Sequence, residues 1–169
     1  CAANPCAAAQ ATIDPAKVMQ GDRELSSGGN SPAQLIALGR DLWNDKSLSG
    51  PGTTACATCH VNYQLMNATF AEPYPHTVQM AKDRAGLEQV TAAEMVQLCM
   101  VIPMMNEPLD WGSVELAALS AYVEDIQKDF TPPAAGAANP CAANPCAANP
   151  CAANPCGANP CGANPCAGR

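Results

Sequence analysis

Cys56-Ala57-Thr58-Cys59-His60 decides how this chain folds. The spacing C-x-x-C-H is the attachment signature of a c-type haem. Two thiols one helical turn apart both reach the vinyl groups on one edge of a porphyrin and form thioethers. The histidine follows directly, which brings its imidazole under the ring as proximal iron ligand. Two other chemistries use C-x-x-C. A thioredoxin-type redox pair expects a βαβ context and gives the histidine no task. A zinc site expects another closely spaced Cys/His pair in the same domain, where Cys99 is the only further cysteine. Haem attachment uses all three residues, and neither alternative does.

Composition sets the frame around the motif. Residues 1–11 and 131–169 are almost wholly Ala, Asn, Pro, Cys and Gly, with nothing large to bury. A single folded unit is expected at 31–130, with 12–30 as a linker. Aromatic residues make up 4% of the chain, and a core of about a hundred residues is marginal alone. A covalently held porphyrin would supply the missing apolar mass. The formal charge is −7, with no basic cluster, so the Lys/Arg footprint of nucleic-acid binding is absent. The acidic surface is complementary to a basic patch on a redox partner protein, acting mostly on encounter rate. No apolar stretch reaches transmembrane length.

Three helices are legible. Ser31-Pro32 is a start signal, Ser as N-cap and Pro in the first turn. Leu35, Leu38 and Leu42 follow at helical spacing, with Gly39 and Trp43 four apart on one face. A second helix opens at Thr91-Ala92-Ala93-Glu94, a capping box, carries Met95, Leu98 and Ile102, and must stop at Pro103. A third begins near Ser113 and shows Leu116, Leu119, Val123, Ile126 and Phe130. A Pro- and polar-rich connection holding Pro73 and Pro75 lies between the motif and Thr91, and no alternating strand pattern is present.

An iron held by His60 needs a sixth ligand or an open site. Met66, Met80, His76, Cys99, Met100, Met104 and Met105 are the candidates. Met95 and Met100 read more simply as core-filling helix residues. His76, in Tyr74-Pro75-His76, reads as a surface or hydrogen-bonded loop residue, which leaves bis-histidine ligation a lesser alternative. Met104 stands out because Pro103 has just ended a helix, so a flexible thioether in the following loop can turn toward the iron. His/Met ligation raises the reduction potential and suits an electron carrier.

The order helix, C-x-x-C-H, loop, helix ending in Pro-Met, terminal helix resembles the class I cytochrome c fold, all-α. The resemblance implies that first and last helices cross where a glycine of one admits an aromatic of the other, here Gly39 and Tyr122 with Trp43 nearby. The run from Cys99-Met100-Val101-Ile102-Pro103-Met104 through Pro108-Leu109 to Ser113-Val114-Glu115-Leu116 is similar to haem domains of sulfur-oxidation dihaem cytochromes, the thiosulfate dehydrogenases among them, over roughly 35–126. Carried over by that likeness, Met104 matches the ligand methionine and Cys99 the helix cysteine, whose sulfur is the rival ligand. Those relatives have two haem motifs or a partner supplying one; this chain has one. The resemblance also implies haem attachment outside the cytoplasm, in a periplasmic or other extracytoplasmic compartment, and cysteine richness fits an oxidising one.

The tail repeats Ala-Ala-Asn-Pro-Cys with period five, placing thiols at Cys141, Cys146, Cys151, Cys156, Cys161 and Cys166, and Cys1 and Cys6 repeat the phrase. Proline in every repeat excludes a regular helix. A semi-rigid tether is the plain reading, with inter-chain disulfides and thiolate metal binding as sharper ones. Cys1 reads either as a lipid-modified terminus or as a cut within the repeat tract. Three functions follow. The first is a monohaem carrier of single electrons using Cys56, Cys59, His60 and Met104, which is not an enzyme. The second is a haem enzyme of sulfur-compound oxidation using Cys99. The third is a thiol-rich structural or metal-binding protein.

Overall fold

The structure is a computed structural model that describes residues 13–132. The expectations for the repeats at 1–11 and for the tail beyond Pro132 lie outside them. Among the described residues the fold is all-α. Its helices are α1 (Pro15–Val18), α2 (Pro32–Trp43), α3 (Cys56–His60), α4 (Gln79–Ala85), α5 (Ala92–Val101) and α6 (Val114–Gln127), with short 3-10 turns between them. The β pairing among these residues is an isolated bridge between His76 and Val90.

The long helices begin where their caps direct. Ser31 Oγ accepts from the Gln34 N–H at 3.4 Å while the Ser31 N–H donates to Gln34 Oε1 at 2.9 Å. Ser113 Oγ accepts from the Leu116 N–H at 3.2 Å. α5 stops at Val101, with Ile102 as its cap immediately ahead of Pro103.

Gly39 is the buried residue of α2. A Cβ there would strike the Ala118 carbonyl oxygen and lie 2.6 Å from Tyr122 Cβ. The backbones of α2 and α6 therefore cross in contact, and Trp43 meets Tyr122 edge-on at 5.6 Å between ring centroids. This is the crossing of a cytochrome c-like fold. Leu35 and Leu42 flank Gly39 on its own face and are half-buried. Leu38, turned about 100° from Gly39, is 37% exposed and leaves the expected apolar stripe.

Two cores share α5. The first gathers Phe70, Val96, Met100, Met104, Leu116, Leu119 and Val123, with Leu42, Trp43 and Trp111 packed against it. The second gathers Val18, Ala81, Ala85, Val90 and Leu98, with Ile13, Val78 and Met80 against it. The second core corrects the linker expected at 12–30. Val18 is wholly buried, Ile13 N–H donates to the Arg84 carbonyl at 2.8 Å, and the Gln20 N–H donates to Glu94 Oε1 at 2.8 Å. A four-residue helix has no periodicity to read, so the segment resembles a spacer until α4 and α5 are in place.

Glu94 joins these elements. Its Oε2 accepts from the Thr91 N–H at 2.8 Å, and Thr91 Oγ1 accepts from the Glu94 N–H at 3.2 Å. Thr91→Ala removes one cap bond and is expected to cost about 1 kcal/mol. Glu94→Ala releases two backbone donors from a charged acceptor, one of them in the N-terminal strap, and is expected to cost about 2 kcal/mol. Urea unfolding checks the order: both midpoints fall, Glu94→Ala further, with the slope unchanged.

Candidate functional site

Local hydrogen bonds build α3. Ser49, itself buried, accepts through Oγ from the Thr53 and Thr54 N–H groups at 3.1 and 3.2 Å. Thr58, between the two cysteines, accepts from the Ala55 N–H at 3.0 Å and closes the first turn. Cys56 and Cys59 are thereby set one turn apart with His60 following.

The chain then turns sharply. Asn62, Tyr63 and Leu65 occupy the left-handed region at φ 51°, 62° and 60°, a conformation that costs a non-glycine residue roughly 1–3 kcal/mol. The turn delivers the Gln64 carbonyl to His60 Nδ1 at 3.0 Å. A carbonyl only accepts, so Nδ1 carries the hydrogen and Nε2 keeps its lone pair, the tautomer a metal-binding imidazole needs. Burial holds the His60 pKa below its ordinary value, with the Gln64 bond opposing, and the neutral ring is favoured. The Tyr63 hydroxyl donates to the Ile126 carbonyl at 3.2 Å and its ring packs on Phe130 at 5.4 Å, which ties the turn to the end of α6. Trp43 stands 5.6 Å from the His60 ring.

Cys56, Cys59 and His60 form one part of a cleft whose walls also include Trp43, Met66, Phe70, Met100, Met104 and Leu119. It encloses about 870 Å3, the open mouth included. Met104 is 2% exposed. Its N–H donates to the Cys99 carbonyl at 3.0 Å and its carbonyl accepts from the Gly50 N–H at 2.9 Å. Cys99 also lines the cleft. Burial pushes its thiol up to about 12, with Cys56 and Cys59 adding to the effect. Burial likewise pushes Cys56 up to about 11. These thiols are neutral at physiological pH.

The sixth-ligand candidates separate. Met66, Met100, Met104, Cys99 and His76 all line the cleft. Met80 packs in the second core, and Met105, with φ 53°, is 70% exposed. Of the two sequence readings of His76, a surface or a hydrogen-bonded loop residue, the structure removes the first: it is 3% exposed. Backbone pairing with Val90, at 3.2 and 3.0 Å, draws it inward. Its ring stacks on Tyr74 at 4.2 Å, and its Nδ1 is buried with no hydrogen bond. Met95 and Met100 fill core as expected and wall the cleft as well. The Gln64 carbonyl has no sequence signal, because a backbone acceptor is identical at every position. Among the described residues, no three His, Cys, Asp or Glu converge to hold a metal ion, and no helix is long and apolar enough to cross a membrane.

These residues fit a haem c. The donor set has two thiols and an imidazole with a free Nε2, and the rest of the cleft is lined mostly by apolar side chains. The family model for di-haem cytochrome c peroxidase matches residues 33–100, from α2 through most of α5. It ends before Met104. No curated protein and no solved structure matches the chain. The helix crossing, the C-x-x-C-H helix at the cleft and the family match over residues 33–100 together support a c-type cytochrome-like haem domain.

Proposed function

We propose that the chain is a monohaem c-type cytochrome that carries single electrons between extracytoplasmic redox proteins. The observation that carries it is Met104, buried in the same cleft as Cys56, Cys59 and His60, in a chain with one C-x-x-C-H. The haem supplies a one-electron iron couple. Cys56 and Cys59 would hold the porphyrin edge, and His60 would bind the iron through Nε2 while the Gln64 carbonyl fixes its orientation. Met104 would supply the second protein ligand. A thioether favours the reduced metal and raises the potential. The apolar walls exclude water, so little solvent reorganises when charge changes. Donor and acceptor dock through basic surface against this acidic chain. The repeat cysteines serve as a tether or as cross-links in a periplasmic or other extracytoplasmic compartment.

Optical spectra of the haem-loaded protein test the ligand. The oxidised wild type is expected to show a weak far-red sulfur-to-iron charge-transfer band. Met104→Ala abolishes it and lowers the potential by on the order of 0.2 V, within the roughly 0.8 V range that axial ligands command. His76→Ala leaves both unchanged. An oxidised wild type that lacks the band, with a spectrum and potential that change in His76→Ala and not in Met104→Ala, makes His76 the ligand.

A second reading has its own observation. Cys99 and the unpartnered His76 Nδ1 both sit in the cleft, where a small sulfur compound or a peroxide could meet them, and the matched family is one of peroxidases. Turnover of thiosulfate or hydrogen peroxide by the purified chain, lost in Cys99→Ala or His76→Ala, establishes that reading in place of the carrier.

A further inference from the structure

The side chain of Gln97 is wholly buried, in a helix otherwise buried through apolar residues and alanine. An amide is placed there at a cost unless both its ends are bonded. Both are, and to the same residue. Gln97 Nε2 donates to the Leu109 carbonyl at 2.7 Å, and Gln97 Oε1 accepts from the Leu109 N–H at 2.8 Å. The Leu109 N–H can only donate, so the orientation of the amide is fixed. The staple closes a loop that leaves α5 at Ile102 and carries Met104.

Other bonds secure the same loop. The Met104 N–H and carbonyl are held by Cys99 and Gly50, and the Asn106 N–H donates to the Met100 carbonyl at 3.0 Å. Asn106 Nδ2 donates to the Leu48 carbonyl at 2.9 Å. Gly50 permits the approach, since a Cβ there would strike the Met105 carbonyl oxygen. Gln97 differs from these in acting from inside the core, on the return strand of the loop.

We infer that Gln97 is a positioning residue for the sixth iron ligand: its buried amide, bonded at both ends to the Leu109 backbone, holds the loop that keeps Met104 in the cleft. This rests on Met104 being the ligand. The consequence is a low population of the state in which Met104 has left. An outside ligand that needs the sixth position binds only to that state, so its apparent affinity is scaled by the open fraction.

Imidazole is the probe, titrated into the oxidised, haem-loaded protein and followed by the shift of the main haem absorption band, with the far-red band recording whether Met104 is bound. Wild type is expected to bind weakly, and Met104→Ala most tightly. Gln97→Leu, of similar volume, leaves the part-buried Leu109 N–H and carbonyl without their partner and is expected to bind about tenfold more tightly than wild type while still showing the band. Val18→Ala, a cavity in the second core, controls for general loss of stability and is expected to bind as wild type does. If Met104→Ala keeps the band and the wild-type affinity, the ligand assignment falls and this inference with it. If Met104→Ala loses the band but Gln97→Leu binds imidazole like wild type, only the positioning role is overturned. Equal tightening in Val18→Ala and Gln97→Leu overturns it too.

Discussion

Replacing Cys56 and Cys59 together with alanine is expected to leave a chain from which acidified organic solvent removes all the haem, where the wild type keeps it in the protein fraction. The two thiols stand one turn apart on α3, and no other cysteine pair among the described residues shares that spacing. Cys99 lines the same cleft but sits alone on α5, so Cys99→Ala is expected to retain the full covalent complement. The second consequence is structural. The cleft is walled by Trp43, Phe70, Met100 and Met104 together with Leu65 of the strained turn, and His60 alone is a weak anchor for a cofactor that completes this core. The doubly substituted chain is expected to keep most of its far-ultraviolet helical signal and lose its sharp thermal transition, since secondary structure outlasts side-chain packing when a core is left incomplete. Acid-stable haem in the double variant would move the attachment site elsewhere; a sharp transition without haem would show that the polypeptide core suffices.

The residues that could be read from sequence are those whose signal is local. Ser31-Pro32, Thr91 with Glu94, and Pro103 announce helix ends because caps and proline act within one turn. α6 was visible because Leu116, Leu119 and Val123 repeat at helical spacing over several turns. α1 and α4 are too short to show a period, and both take their stability from the second core. His76 looked like a loop residue for the same reason. Its burial depends on pairing with Val90, too far along the chain to read, and on a stacking with Tyr74 that residue spacing alone does not reveal. Met104 was legible from the helix stop just before it. The staple from Gln97 was not, because a glutamine in an amphipathic pattern marks the solvent face, and here that face is covered by the chain's own returning loop.

Gly39→Ala is a single substitution expected to damage the fold. Helix propensity alone predicts the opposite, a gain of about 1 kcal/mol for alanine over glycine inside a helix. The added methyl would collide with the Ala118 carbonyl oxygen and stand 2.6 Å from Tyr122 Cβ. The obstacle is backbone of a packed helix, which cannot swing aside as the end of a long side chain can. The helices must separate, and overpacking of this kind costs about 1–3 kcal/mol, sometimes more. Separation also draws Trp43 away from Tyr122 and from His60, which it meets at 5.6 Å in both cases. The net effect is expected near ~2 kcal/mol of destabilisation and a fall in Tm of roughly 8–16 °C. Ala37→Gly, on the exposed side of the same helix, is the internal control and is expected to cost about 1 kcal/mol through propensity alone. If Gly39→Ala instead raises Tm, the glycine is only tolerated and α2 does not need close contact with α6. If it lowers Tm clearly further than Ala37→Gly does, the crossing at Gly39 is what holds Trp43 against His60.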